Sequence, residues 1–216
     1  MKKNRAVFWI WLLAILPVVA TLFCYAHLPA QVPSHWNMQG DADGFAAPFD
    51  VMLLSFLPLA LALVLQFLPY FDPKRKNYEK FSRAYSAVRL TLALFLCLNH
   101  CLLLYNAFYP DVLHMDAILT ALMGGMFCVL GNFMPKFRHN YFVGIRTPWT
   151  LASAECWRRT HRFAGPLWVI AGVLLIVFSF FARGTVLLWS STAVLTLFCG
   201  GSILYSFVIY KKCKND

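Results

Sequence analysis

Phe163-Ala-Gly-Pro-Leu-Trp-Val-Ile-Ala-Gly-Val-Leu-Leu-Ile-Val-Phe-Ser-Phe-Phe-Ala182 holds no charged residue. A helix of about 20 residues rises roughly 30 Å, the thickness of a bilayer's hydrocarbon core. The run therefore predicts a membrane-spanning helix. Moving outward, five more runs have the same character, at about 6–26, 51–70, 88–109, 115–134 and 185–210. The chain is 60% hydrophobic and 13% charged, where soluble domains carry about 25% charged residues. The expected fold is an all-α membrane protein of six transmembrane helices. Little sequence remains for a separate soluble domain. Two units are expected: residues 1–70, with the first span, a loop and the second span, and residues 71–216, with spans three to six.

The net charge of +10 suits a nucleic-acid binder in size but not in placement. Threading six spans from a cytoplasmic N-terminus puts Lys2, Lys3 and Arg5 inside, then Lys74, Arg75, Lys76, Lys80, Arg83 and Arg89. It also puts Lys136, Arg138, Arg146, Arg158, Arg159 and Arg162 inside, and finally Lys211, Lys212 and Lys214. Of the 19 Lys and Arg, 18 fall on one side, with Arg183 outside. This is the positive-inside asymmetry. It predicts cytoplasmic N- and C-termini and contact with membrane lipid headgroups, not direct nucleic-acid binding. Met-Lys-Lys-Asn-Arg at the start looks like a signal peptide. The apolar run behind it is longer than a signal core, however, and Cys24-Tyr-Ala26 is a poor cleavage site, so an uncleaved signal anchor is expected. Most of the seven cysteines lie in apolar runs, none forms a Cys-x-x-Cys, and Cys156 and Cys213 would face a reducing cytoplasm, so no disulfide framework is expected.

Between the fourth and fifth spans lies Gly131-Asn-Phe-Met-Pro-Lys-Phe-Arg-His-Asn-Tyr-Phe-Val-Gly-Ile-Arg-Thr-Pro-Trp-Thr150, followed by Trp157-Arg-Arg-Thr-His161. It is basic and rich in backbone-fixing residues. Pro135 is expected to end the fourth span, Asn140 and Gly144 to make turns, and Thr147-Pro148 to run extended. Ser153 or Thr150 would cap a short surface helix reaching Arg162, with Trp157 and His161 on one face and Arg158 and Arg162 on another. Arg146 beside Pro148 and Trp149 suits stacking, or gripping a carboxylate or phosphate.

The first outer loop, Leu28 to Phe45, carries Pro29, Pro33, Gly40 and Gly44 and is built of turns, with Val32–Trp36 as a strand-like piece. His35, Asp41 and Asp43 are metal-donor types. Without a repeated spacing they predict a folded cap instead, with His35 and Trp36 packed and Asp41 and Asp43 in turns. Tyr109-Pro110-Asp111 makes the second outer turn, and Arg183-Gly184 the third. The second span carries Pro58, tolerated inside a membrane. The segment Lys74–Arg83 is expected to be helical and to run into the third span, with Glu79 and Arg83 paired four apart. Ala121 and Gly125 form a small-x-x-x-small pair. Asn99 and His100 lie at the middle of the third span. An ionisable residue there is a functional candidate by default, and the structural alternative is a neutral imidazole bonded to Asn99 or to another helix. No nucleophile elbow, phosphate loop or carboxylate pair occurs, so neither catalysis nor a cofactor is expected.

Taken together, Gly131-Asn132-x-Met134-Pro135-Lys136, Asn140-Tyr141-Phe142-x-Gly144-Ile145-Arg146-Thr147-Pro148-Trp149-Thr150-Leu151 and Trp157-x-x-Thr160-His161-Arg162 resemble the signature of the SdpI family of bacterial toxin-immunity membrane proteins. The loop pattern Leu28-Pro29, Val32-Pro33-x-His35-Trp36-Asn37 and Gly40-x-x-Asp43-Gly44 resembles the small domain of unknown function that usually precedes it. The resemblance implies a multi-pass protein of the bacterial cytoplasmic membrane that protects against a secreted killing-factor peptide. In some members it implies a toxin sensor that also holds an ArsR-type autorepressor at the membrane.

On that basis His35, Trp36, Asn37, Gly40, Asp41, Asp43 and Gly44 are the candidate toxin-facing residues. Asn132, Pro135, Asn140, Gly144, Arg146, Thr147, Pro148, Trp149, Trp157, Thr160 and His161 form an inner signature, either an effector site or a structural lock. The competing readings are a small transporter or channel using Asn99, His100 and Asn106, and a structural subunit of a larger membrane complex.

Overall fold

The computed structural model describes residues 2–37, 40–110 and 112–215, without the side chains of residues 2–4 and 213–215. Met38, Gln39 and Asp111 of the predicted loops lie outside it, as do the charges of Lys2, Lys3 and Lys214 and the Cys213 thiol. Six helical stretches are long and apolar enough to cross a membrane: Arg5–His27, Pro48–Phe71, Ser82–Phe108, Met115–Lys136, Ala154–Phe181 and Gly184–Lys212. All six predicted runs coincide with them, two of them (88–109 and 163–182) running one residue beyond the helix end.

Helix α1 (Lys2–Cys24) ends in a 3₁₀ turn, Tyr25–His27. A two-stranded antiparallel hairpin follows, β1 (Val32–Trp36) and β2 (Ala42–Ala46). Strand β1 matches the predicted piece. Strand β2 is hidden in the sequence by Asp43 and Gly44, which read as turn residues. Asn37 closes the hairpin: its N–H donates to the Asp41 carbonyl (2.8 Å) and its side-chain oxygen accepts the Asp41 N–H (3.0 Å).

The second span is two helices, α2 (Pro48–Ser55) and α3 (Leu57–Phe71). Pro58 has no N–H to give, and its ring crowds the carbonyl four residues back, so the helix restarts there. The predicted continuous helix from Lys74 is also interrupted. α4 (Lys76–Lys80) stops at Phe81, whose φ of −129° and ψ of 27° leave the helical range, and α5 (Ser82–Phe108) begins anew. Glu79 and Arg83 thus sit on different helices, and no ion pair joins them among the described residues.

α6 (Met115–Phe133) runs into a 3₁₀ turn, Met134–Lys136, and the inner segment then forms α7 (Pro148–Ala152). α8 (Ala154–Phe181) is one continuous helix where a separate surface helix was expected. Nothing between Trp157 and Phe163 breaks a helix, and Cys156, Trp157, Thr160, His161 and Ala164 are all buried, so one face stays packed through the boundary. α9 (Gly184–Asn215) closes the chain.

α1, α3 and α5 pack together, α6 packs on α8 and α8 on α9, and α5 against α6 joins the two groups. The α6–α8 contact is the tightest. A Cβ added to Gly124 would stand 2.6 Å from the Gly172 carbonyl oxygen, and one on Gly131 would stand 2.7 Å from that of Gly165. The small-residue seam is therefore Gly124 and Gly131 on α6 against Gly172 and Gly165 on α8. The predicted partner Gly125 has nothing within 4 Å. It is one residue round the helix, about 100° away.

Alternation of the spans puts residues 72–82, residues 134–153 and the end of α9 together at one end, here the basic end, with the hairpin at the other. A buried aromatic cluster of Tyr78, Phe81, Tyr85, Phe137 and Trp157 fills the basic end. Val32 and Val51, both fully buried, anchor the hairpin on Leu104 and Ala107 of α5.

A cavity under the hairpin and a locked loop at the basic end

At the hairpin end, a cavity of about 560 Å³ lies among six elements. β1 and the residue after it supply Ser34, His35, Trp36 and Asn37. α2 and α3 supply Leu54, Leu57 and Pro58. α5 supplies Leu96, Asn99, His100 and Leu103. The remaining wall is α6 with Asp116 and Thr120, and α9 with Leu187, Ser191 and Thr192. The walls are mainly apolar and the polar groups are few, the usual make-up of a ligand site. The Ser191 hydroxyl is buried there with no hydrogen-bond partner. The structure thus brings His35, Trp36 and Asn37, from the loop, onto the same cavity as Asn99 and His100, from mid-membrane. Sequence spacing gave no sign of that meeting.

His100 is buried, and its Nε2 lies 2.7 Å from the Thr21 hydroxyl of α1. Thr21 in turn donates to the Pro17 carbonyl (2.9 Å). Asn99 donates to the Phe95 carbonyl of its own helix (2.7 Å). These groups are satisfied within α1 and α5. Asn106 is buried too.

His35 differs from expectation. It is exposed rather than packed, and its Nδ1 meets the Asp43 carboxylate at 2.6 Å across the hairpin. Gly44 stands opposite, where a Cβ would come within 2.8 Å of the His35 Cβ. Trp36 is half-buried and lines the cavity. Asp41 is exposed and sits in the turn. Gly40, at a φ of 92°, places the hairpin tip over Asp116, whose carboxylate accepts the Gly184 N–H (2.8 Å). Asp116 therefore ties together the start of α6, the α8–α9 turn and the hairpin tip. Its proximity to the N-terminus of α6 is also favourable to its charge. Among the described residues, no group of three metal-donor side chains converges.

At the basic end the inner signature is tied down bond by bond. Asn140 is fully buried. Its Oδ1 accepts the N–H of Phe142 (2.9 Å) and Val143 (2.7 Å), and its Nδ2 donates to the carbonyls of Arg138 (2.8 Å) and Val143 (3.0 Å). His161, 1% exposed, accepts the Ile145 N–H on Nε2 (2.9 Å) and holds the Trp157 carbonyl on Nδ1 (2.8 Å). Nε2 as acceptor and Nδ1 as donor define one neutral tautomer. Trp157 stacks on that ring at 4.1 Å and donates its indole N–H to the Phe137 carbonyl (3.0 Å).

Gly144 takes a φ of 122°, and a Cβ there would overlap His161 Nε2. Thr147 caps α7, with the Thr150 hydroxyl accepting the Thr147 N–H (2.8 Å) and donating to the Ile145 carbonyl (2.9 Å). Pro148 occupies the first position of α7, where its missing N–H costs nothing. Trp149 donates to the Ser206 hydroxyl of α9. Pro135, in the 3₁₀ turn, packs against Gly165. Thr160 is fully buried with its hydroxyl unpartnered. Asn132 is exposed on α6. Arg146 does not use the Trp149 platform. It is exposed and donates to the Tyr141 carbonyl (3.1 Å).

Sequence reasoning missed three members of this network, Asp72, Tyr78 and His139. Asp72 is buried and accepts from the Lys74 N–H (2.7 Å), the Tyr78 hydroxyl (3.0 Å) and the Tyr141 N–H (2.9 Å). Burial, and then the Asp72 carboxylate, push the Tyr78 hydroxyl well above its ordinary range. His139 lies against Lys74 Nζ (2.8 Å), and burial, then that ammonium, lower its pKa. Asp72-Pro73 had read as a helix end, and no local spacing announces a partner 69 residues away.

With six spans, an ordered hairpin and this locked basic-end loop, the chain is a multi-pass membrane protein of the bacterial cell membrane. Residues 136–210 match the SdpI/YfhL protein family, and residues 12–61 match the domain of unknown function DUF1648. The chain is 27% identical over 217 residues to "Immunity protein SdpI" of Bacillus subtilis (strain 168), covering 100% of both. No solved structure matches it.

Proposed function

We propose that this chain is an immunity protein, protecting its cell from a secreted killing-factor peptide, and that the cavity under the hairpin receives an apolar segment of that peptide. The immunity reading is supported by the full-length similarity to an immunity protein. The site assignment is carried by the cavity itself, where the hairpin, the broken second span and α9 meet on a largely apolar pocket. The basic end faces the cytoplasm in this reading, because the Lys and Arg gather there, and the hairpin end faces the peptide's source.

The test is survival of a killing-factor-sensitive strain expressing the chain, compared with Ser191→Phe and Thr192→Phe, which fill the cavity from α9. Protection should fall at least tenfold in survivors while the amount in the membrane stays level. Full protection with a filled cavity would remove the cavity from the site, and no protection by the unaltered chain against any such peptide would remove the immunity reading.

A finer role, sensing the peptide and holding an ArsR-type repressor at the basic end, is favoured by the exposed rim of the inner signature at Arg146 and Pro148. There a partner would dock without entering the buried network. Its check is a transcriptional reporter in which Arg146→Ala abolishes induction and leaves protection intact. Normal induction in that variant would take Arg146 out of the contact.

A further inference from the structure

A second concavity, of about 730 Å³, opens at the basic end, apart from the cavity and sharing only Pro135 with the inner signature. Six cationic side chains line it: Lys80, Arg83, Lys136, Arg138, Arg158 and Arg162. They come from three separate parts of the chain: the α4–α5 junction, the turn and loop after α6, and the first turns of α8. The positive-inside tendency explains how many cations sit on this face. It does not explain why three segments aim theirs into one hollow.

Carboxylates are scarce there. Glu79 is the one carboxylate that lines the hollow with the six cations. Glu155 lies outside the hollow and is held by Arg158 (2.6 Å) and Arg159 (2.6 Å). Among the described residues, Lys80, Arg83, Lys136, Arg138 and Arg162 make no ion pair. The hollow also receives Ser82, Arg83 and Ala84, the first turn of the 27-residue α5. That turn has no acidic residue and no side-chain cap, so its N–H groups and the positive end of the helix dipole face the same space. Arg162, four residues from Arg158 on α8, presents a guanidinium fork that suits a phosphate's paired oxygens, while the Arg158 fork is held by Glu155.

We propose that this hollow is a phosphate-binding site, and that the phosphate it takes is the headgroup of an anionic phospholipid. Its place supports the lipid source. Ser82 and Ala154 begin membrane-spanning stretches, so the hollow lies at headgroup depth, where basic pockets between helices collect anionic headgroups. Nothing in this proposal depends on what the cavity at the other end binds.

The test uses the full chain in nanodiscs of phosphatidylcholine containing phosphatidylglycerol, with retained lipid counted by native mass spectrometry. The triple variant Arg83→Gln, Arg138→Gln and Arg162→Gln is compared with Arg5→Gln, Lys211→Gln and Lys212→Gln, which removes the same charge from the same face outside the hollow. Charge-assisted bonds to phosphate are strong enough that the first triple should retain roughly tenfold less phosphatidylglycerol, and the second less than about twofold less. A parallel arm adds inorganic phosphate to protein in phosphatidylcholine alone. Thermal stabilisation there that the first triple abolishes, without selective lipid retention, would support the phosphate site and assign it to a solution anion instead.

Equal lipid loss in both triples, or no selective retention by the unaltered chain in either arm, would overturn the proposal. If the triple fails to accumulate, the three single variants are read in the same way; these arginines are exposed and carry no core packing. Loss spread evenly over singles inside and outside the hollow also overturns it.

Discussion

Gly144→Ala is the sharpest probe of the basic-end lock. Two costs combine. At a φ of 122° a side chain is strained wherever it points, and such backbone costs about 1–3 kcal/mol. The new methyl also occupies the place of His161 Nε2, so the imidazole must leave and the Ile145 N–H loses its acceptor. Ile145 and His161 are both buried, and an orphaned buried donor costs about 1–3 kcal/mol. Together the substitution should destabilise the basic end by about 2–6 kcal/mol. At roughly 2–4 °C per kcal/mol for a chain of this size, the midpoint of thermal unfolding should fall by about 4–24 °C.

The assay is intrinsic tryptophan fluorescence during heating of purified protein in detergent, because Trp157 stacks on His161 and reports its displacement. Gly200→Ala is the control. It sits inside α9 with nothing within 4 Å, so alanine there should be neutral or slightly stabilising. A Gly144→Ala midpoint within about 2 °C of the parent, by the same scaling, would refute the lock as described.

Three further substitutions read other parts of the fold. Gly124→Ala should weaken the α6–α8 seam by about 1–3 kcal/mol, because its methyl meets the Gly172 backbone. Gly125→Ala, one residue on, should not, and comparison of the two unfolding midpoints checks the seam. Thr21→Val leaves the His100 Nε2 without its partner across to α1 and should cost about 0.6–1.7 kcal/mol, the range for hydrogen bonds between membrane helices. Adding His100→Leu to it should cost less than the sum of the two single changes, and additivity would mean the bond carries nothing. The last prediction is a pH dependence. Burial and Lys74 favour neutral His139, so its folded pKa lies below its unfolded value. The unfolded chain takes the proton first as the pH falls. Stability is therefore full above the ordinary histidine range and is lost on acidification through it toward the lowered folded value. His139→Gln should flatten that part of the melting-temperature profile, and an unchanged profile would exclude His139 as its source.

The helical stretches were legible because each needs only its own residues: some 20 apolar positions and a charge at the correct end. Interruptions of local origin were half legible. Pro58 could be seen, but whether a membrane helix absorbs or breaks at a proline depends on its neighbours. Strand β2 was masked because Asp43 and Gly44 are turn formers by propensity, and here a glycine is needed opposite His35 for close approach. Choosing between Gly124 and Gly125 requires the rotation of α6 about its axis, which is set by α8. Of the inner signature, the sequence could show turns and caps but not that His161, Ile145 and Gly144 meet, nor that Asp72 and Tyr78 complete the network from the far side of two spans.

That last pair bears on how the basic end could signal. Asp72 and Tyr78 lie outside both family-matched segments, 12–61 and 136–210, yet they bond Tyr141 and approach Asn140 inside the second. Rearranging the loop would at once orphan the Asp72 carboxylate, the two Asn140-bound N–H groups and the Ile145 N–H. At about 1–3 kcal/mol for each neutral group, and more for the carboxylate, the total exceeds the 1–3 kcal/mol that typically couples two sites in a protein. In the proposed reading, a peptide bound at the hairpin end would need a differential affinity above that range to open such a network. Arg146 and Pro148 are on its exposed rim and can meet a partner with every one of those bonds in place. A partner docking on that rim would meet a rigid loop, and the element that touches both the cavity and Trp149 is α9.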